Sequence, residues 1–155
     1  MDKVPFPDYG LLDYKMLDRF IIQTQRGCPM ACNYCPYYVS QGLKFRSHEA
    51  KKMIAQFKYL KENFNAKKIL IHDPIFTLDI KRVSDFCDLL IKEKLGIEWE
   101  CETHMKQINI KLLNKMRKAG AFASKVLDKI EPYVKEGITT EELDQICHDY
   151  IIANN

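Results

Sequence analysis

Three cysteines crowd into one short run, Cys28-Pro29-Met30-Ala31-Cys32-Asn33-Tyr34-Cys35. The order Cys-x3-Cys-x2-Cys lets a single tight loop turn all three thiols inward. Thiolates are soft ligands, suited to iron–sulfur clusters and to zinc. A structural zinc site or an electron-transfer cluster is normally completed by a fourth ligand. None lies at usable spacing here, because His48 is separated from the loop by Gly42 and the start of a helix. A cluster held by three thiolates keeps one iron open to substrate, as catalytic metal sites require. The spacing favours that reading. A zinc site borrowing a distant histidine and a chance grouping of cysteines stay open as alternatives. Cys87, Cys101 and Cys147 stand singly in apolar patterns, where buried, inert thiols are expected.

Such a loop needs a frame. Arg19-Phe20-Ile21-Ile22-Gln23-Thr24 is β-prone and ends at Arg26-Gly27-Cys28-Pro29, as a strand feeding a loop does. The loop runs on through Tyr37, Tyr38 and Gly42. Ser47 can cap a helix in which Ala50, Met53, Ile54, Phe57, Leu60 and Phe64 recur at helical spacing. A second strand over 68–72 runs into Asp73-Pro74. A helix over about 80–94 then places Val83, Phe86, Cys87 and Leu90 on one face, with Gly96 closing it. Residues 97–102 alternate as a third strand, and Ile110, Leu113, Met116 and Ala119 mark a third helix.

Strand and helix thus alternate three times, the repeat of a parallel α/β architecture with functional loops at the strand C-terminal ends. The cysteine loop, His72-Asp73 and Glu102-Thr103-His104 all fall at such ends. Three units cannot close a barrel, so the sheet is expected to keep an open edge. Pro5-Phe6-Pro7-Asp8-Tyr9-Gly10 reads as a turn-rich arm outside the core. After Ala121 the alternation stops. Ala123, Val126, Leu127, Ile130 and Val134 extend the third helix, and Gly137 ends it. Thr139-Thr140-Glu141-Glu142 is a capping box for a last helix that buries Leu143, Ile146, Cys147, Tyr150 and Ile151 and runs to Asn155.

Composition narrows the class. The 155 residues are 46% hydrophobic and 29% charged, ordinary for a globular domain. No apolar run reaches the roughly 18 residues of a membrane span. Residues 1–6 lack the features of a signal peptide, so a cytoplasmic location is expected. The net charge of +3 comes with dispersed lysines, which argues against nucleic acid as a partner.

The cysteine run, with Tyr34 between its second and third cysteines, resembles the signature of the radical S-adenosylmethionine (SAM) superfamily, Cys-x3-Cys-x-aromatic-Cys. The resemblance covers about residues 5–120 and implies a partial (β/α) barrel. It implies that Cys28, Cys32 and Cys35 hold three irons of a 4Fe–4S cluster, the fourth iron chelating SAM. An electron from the cluster would then cleave SAM to methionine and a 5′-deoxyadenosyl radical. Tyr34 would lie near the adenine. Asp73 occupies the position where the superfamily often has Gly-Gly-Glu and contacts the SAM amino group. Glu102 and His104 are candidates for further polar contacts, with a plain rim position the alternative for His104. Gln23 to Pro29, Phe45-Arg46-Ser47, Asp73 to Asp79 and Cys101-Glu102-Thr103 are similar to the cobalamin-dependent branch, which includes methyltransferases and cyclases related to anaerobic magnesium-protoporphyrin ester cyclase. The expected partners are a small-molecule substrate and an electron donor such as flavodoxin or ferredoxin. Cobalamin would enter only through a preceding domain, which is expected to be missing, as is the second half of the barrel. Binding of cluster and SAM with weak or no turnover is the resulting expectation.

A second resemblance begins where the first ends. Lys115-Met116-Arg117-Lys118-Ala119-Gly120 fits both families, and from about 115 to 152 the chain is similar to the N-terminal helical pair of type I methionine aminopeptidase. That match stops before the metal ligands of that family, and Asp144, His148 and Asp149 are expected on a polar helix face. A composite chain is expected, with an arm over 1–18, a partial radical SAM domain over 19–120 and a helical hairpin over 121–155. The competing functions are a metallo-aminopeptidase fragment without its catalytic ligands and a small zinc-binding module.

Overall fold

The computed structural model describes residues 1–153; Asn154 and Asn155, and the side chains of Met105, Phe122, Ser124 and of Ala123, Val126, Leu127 and Ile151 expected on apolar helix faces, lie outside the described residues. In chain order the elements are β1 (Phe20–Ile22), β2 (Gln25–Arg26), α1 (Tyr37–Gln41), β3 (Arg46–Ser47), α2 (Ala50–Phe64), β4 (Lys68–Ile71), α3 (Ile80–Glu93), β5 (Glu98–Cys101), α4 (Ile110–Ile130) and α5 (Thr140–Ala153). β1, β4 and β5 form a parallel sheet in that order, with Phe20 opposite Ile69 and Ile69 opposite Trp99. The expected strand–helix repeat is therefore present, as a partial radical SAM-type β/α fold.

Period-2 alternation divides the sheet. Phe20, Ile22, Ile69 and Ile71 are buried under the helices, where they meet Met53, Phe57, Leu60, Val83, Phe86 and Leu90. Trp99 joins them through ring contacts with Phe76 and Phe86 at 6.0 and 5.6 Å. The opposite face carries Lys68, Glu98 and Glu100, and Arg19 reaches it from just before β1. Arg19 bonds Glu100 at 2.8 Å, and Lys68 bonds Glu100 and Glu98 at 2.7 and 3.0 Å. In a closed barrel this face would line the interior; here it carries these charges beside the exposed Ile21.

Several local expectations shift. Ser47 lies in β3 rather than capping α2, whose first free amide, Glu49 N–H, is taken by the Asp2 carboxylate at 3.0 Å. An acid supplied by the arm thus does the capping expected of Ser47. The arm is not outside the core either. Tyr9 is 7% exposed, packs edge-on to Phe20, and donates its hydroxyl to Ile21 O at 2.6 Å on the sheet's edge strand. Its aromatic body buries while its polar tip occupies an unpaired strand carbonyl. α3 ends on Lys94, in the left-handed conformation at φ 45°, two residues before the glycine expected to close it. α4 runs continuously through 120/121, as expected of a third helix that is extended past Ala121. The capping box forms as read: Thr139 N–H reaches Glu142 Oε2 at 2.8 Å, and Glu142 N–H reaches Thr139 Oγ1 at 3.2 Å. α5 packs back on α4, and its Asp144 meets Lys67, just before β4, at 2.6 Å.

Candidate metal centre and its rim

The cysteine loop leaves the sheet through a built stem. β2 and β3 pair antiparallel, Gln25 with Ser47 and Arg26 with Arg46. His48 N–H donates to Thr24 O at 2.9 Å below that pair, and Cys28 N–H donates to Gly42 O at 3.1 Å above it. The two sides approach so closely that a Cβ on Gly27, at φ +82°, would stand 2.1 Å from Lys44 O. Only glycine fits that position. Inside the loop, Cys35 N–H donates to Cys32 O at 3.0 Å, and Ala31 sits at φ 47°. The short helix α1, absent from the sequence expectation, packs its first residue against the stem, where Gln23 Nε2 donates to the Tyr37 hydroxyl at 3.0 Å.

Cys28, Cys32 and Cys35 are free and partly exposed. Their chemistry fits a soft metal or an iron–sulfur cluster, since three unpaired thiols share one anchored loop. Among the described residues, no three Cys, His, Asp or Glu side chains are grouped closely enough to hold a metal ion. Cys87 and Cys101 differ in kind, because burial pushes both thiols up to about 12. Such thiols are inert.

The other predicted residues lie on the same rim. His72 follows β4 and donates its N–H to Ile22 O at 2.8 Å. Glu102 follows β5, and its Oε1 stands 3.5 Å from His72 Nδ1, with both side chains more than half exposed. Phe76 N–H donates to Glu102 O at 2.9 Å, and the Thr77 and Thr103 hydroxyls share a short hydrogen bond, so the β4 and β5 loops are tied together. His104 is exposed and accepts Lys106 N–H on Nδ1 at 3.2 Å. Tyr34 is 89% exposed at the loop tip. Asp73 is the exception, with no exposed surface. Its Oδ1 accepts the amides of Thr24 and Gln25 at 2.8 and 3.1 Å, and its Oδ2 accepts the Thr24 hydroxyl. Burial raises its carboxyl above the ordinary aspartate range despite these bonds and the nearby Arg82.

Sequence reading missed Thr24, Gln25 and Arg82, all buried around Asp73. The signal was present for one of them. Arg82 falls in the apolar stripe of α3 beside Val83 and one turn before Phe86, where a charge must find partners inside.

A family model described as the radical SAM superfamily matches residues 22–143. An uncharacterized methyltransferase of Pyrococcus horikoshii is 26% identical over 155 residues, which is 92% of this chain and 33% of that protein. The anaerobic magnesium-protoporphyrin IX monomethyl ester cyclase of Rubrivivax gelatinosus is 30% identical over 123 residues, 74% of this chain and 22% of the cyclase. Methionine aminopeptidase of Salmonella typhimurium is 60% identical over 40 residues, 26% of this chain and 15% of the enzyme. The chain thus spans a third or less of each of these relatives' length, and its likenesses are composite. With the family match running from the last residue of β1 across the cysteine loop, β4 and β5 into α5, the chain belongs to the radical SAM superfamily.

Proposed function

We propose that Cys28, Cys32 and Cys35 bind a 4Fe–4S cluster whose remaining iron takes SAM. The observation that carries this is the set of three free thiols on one loop, clamped at its base to the C-terminal end of a parallel strand. When bound, the cluster supplies the electron that cleaves SAM. The chain's own residues supply position. Glu102 with His72 presents a carboxylate and an imidazole on the rim beside the loop, suited to an ammonium group, and Tyr34 presents an uncommitted ring suited to an adenine face. His104 extends the polar rim.

Turnover is proposed to be weak. The sheet face away from the helices carries exposed charge, with few walls to exclude water from a reactive intermediate. A small-molecule substrate, an electron donor of the flavodoxin or ferredoxin kind, and cobalamin brought by a further domain are the partners proposed for this chain. The aminopeptidase-like helices carry no proposed activity, since their match covers 15% of that enzyme.

Anaerobic reconstitution with iron and sulfide tests the reading. The wild-type chain should hold about four irons, with a brown thiolate-to-iron absorption. Cys32→Ala should lose it while keeping its far-ultraviolet circular dichroism. Uptake of zinc in place of iron would support the zinc module instead.

A further inference from the structure

Below the cysteine loop lies a closed polar network that the metal-binding reading does not use. Thr24, Gln25 and Asp73 have no exposed surface, and Arg82 is 6% exposed. Asp73 takes both stem amides and the Thr24 hydroxyl. Arg82, in the first turn of α3, completes the ring: Nη1 donates to Thr24 Oγ1 at 3.0 Å, and Nη2 donates to Gln25 Oε1 and to Phe76 O, each at 3.1 Å. Gln25 Nε2 then donates to Ile75 O at 2.9 Å. Arg82 Nε is the one buried side-chain nitrogen or oxygen without a partner among the described residues.

The donors and acceptors leave little freedom. The Thr24 hydroxyl accepts from Arg82, so its own proton goes to Asp73. An ionised Asp73 can accept all three bonds, and a charged Arg82 can donate to all its acceptors. Each charge stabilises the other in a site buried away from bulk solvent, and together they fix two consecutive backbone amides of the stem. A carboxylate at the end of β4 could instead face solvent, as the His72 side chain beside it does.

We propose that Asp73, acting through Thr24 and backed by Arg82, is a positioning residue that sets where the cysteine loop begins, rather than a direct contact to the cofactor. The consequence for the cluster rests on the function proposed above; the lock on the stem does not.

The variants follow from the bonding. Asp73→Asn keeps size and can accept the two amides, but it leaves the Thr24 hydroxyl proton without an acceptor and Arg82 without its counter-charge. Thr24→Val removes the relay at constant shape, and Thr24→Ser restores it. Hydrogen exchange of the full apo chain is read at the amides of Thr24, Gln25 and Cys28, with Ile69 and Ile71 as the reference. Asp73→Asn and Thr24→Val should exchange about tenfold faster or more at the stem, the change expected from losing one charged hydrogen bond, with the β4 amides unaltered. Thr24→Ser should match wild type. In reconstituted protein, the first two variants should release iron to a chelator faster and Thr24→Ser should not. If Asp73→Asn fails to fold, the Val and Ser pair decides. Equal acceleration at stem and sheet, or none at the stem, overturns the proposal. A wild-type chain that takes up no iron sinks the cluster reading alone, since the exchange result stands without it.

Discussion

Gly27 to Ala is the sharpest single perturbation of the loop stem. At φ +82° an alanine pays the left-handed penalty of about 1–2 kcal/mol. Its Cβ would also stand 2.1 Å from Lys44 O, where ordinary contact begins at 3.4 Å, so the two backbones must separate by more than an ångström. That separation breaks the 3.1 Å bond from Cys28 N–H to Gly42 O, worth about 1 kcal/mol net. The sum is about 2–3 kcal/mol, concentrated at the stem rather than in the aromatic core. Amide exchange at Cys28 should therefore quicken by roughly 30- to 150-fold, with iodoacetamide reaching Cys28 faster in the apo chain. Urea titration should show a loss no larger than that sum, because the stem can open while the core stays folded. Unchanged protection at Cys28 and an unchanged urea midpoint would refute the close-approach argument.

Three further outcomes are expected. Phe57→Ala, which empties a site with no solvent exposure between α2 and α3, should cost about 3–5 kcal/mol by chemical denaturation. Tyr9→Phe keeps the ring packing and drops the bond to Ile21 O, so a loss of about 1 kcal/mol should be read in the same assay, while a loss near zero would mean that the arm does not guard the strand edge. Burial lowers the His48 pKa below the ordinary 6.5, against the pull of Asp2 and with Lys52 and the N-terminal amine adding to it. The unfolded chain then binds the proton first, so stability should fall as pH drops from 6.5 through the folded value, and His48→Gln should flatten that slope in pH-dependent melting.

The parallel fold was legible because its signals are local and repeated. Met53, Phe57 and Leu60 mark one helix face and Val83, Phe86 and Leu90 another, and each strand between them is short and β-branched or aromatic. The cysteine motif and the three strand ends were legible for the same reason. What escaped is long-range. No local pattern says that Asp2 will cap α2, that Tyr9 will seal the edge of β1, or that Gln25 and Ser47 will pair into a stem, since each partner lies far along the chain. Asp73 was picked out by its place at a strand end. Its inward orientation depends on Thr24 and Arg82, which only the assembled sheet brings beside it. Arg82 within an apolar stripe was the one clue the chain itself offered.

The most direct test of the central claim is low-temperature electron paramagnetic resonance of the anaerobically reconstituted, reduced chain, recorded with and without SAM. Three thiolates and an open iron predict a 4Fe–4S signal that shifts when SAM is added and that Cys32→Ala abolishes. An iron–sulfur signal indifferent to SAM, or a chain that binds zinc and never forms a cluster, would contradict the account.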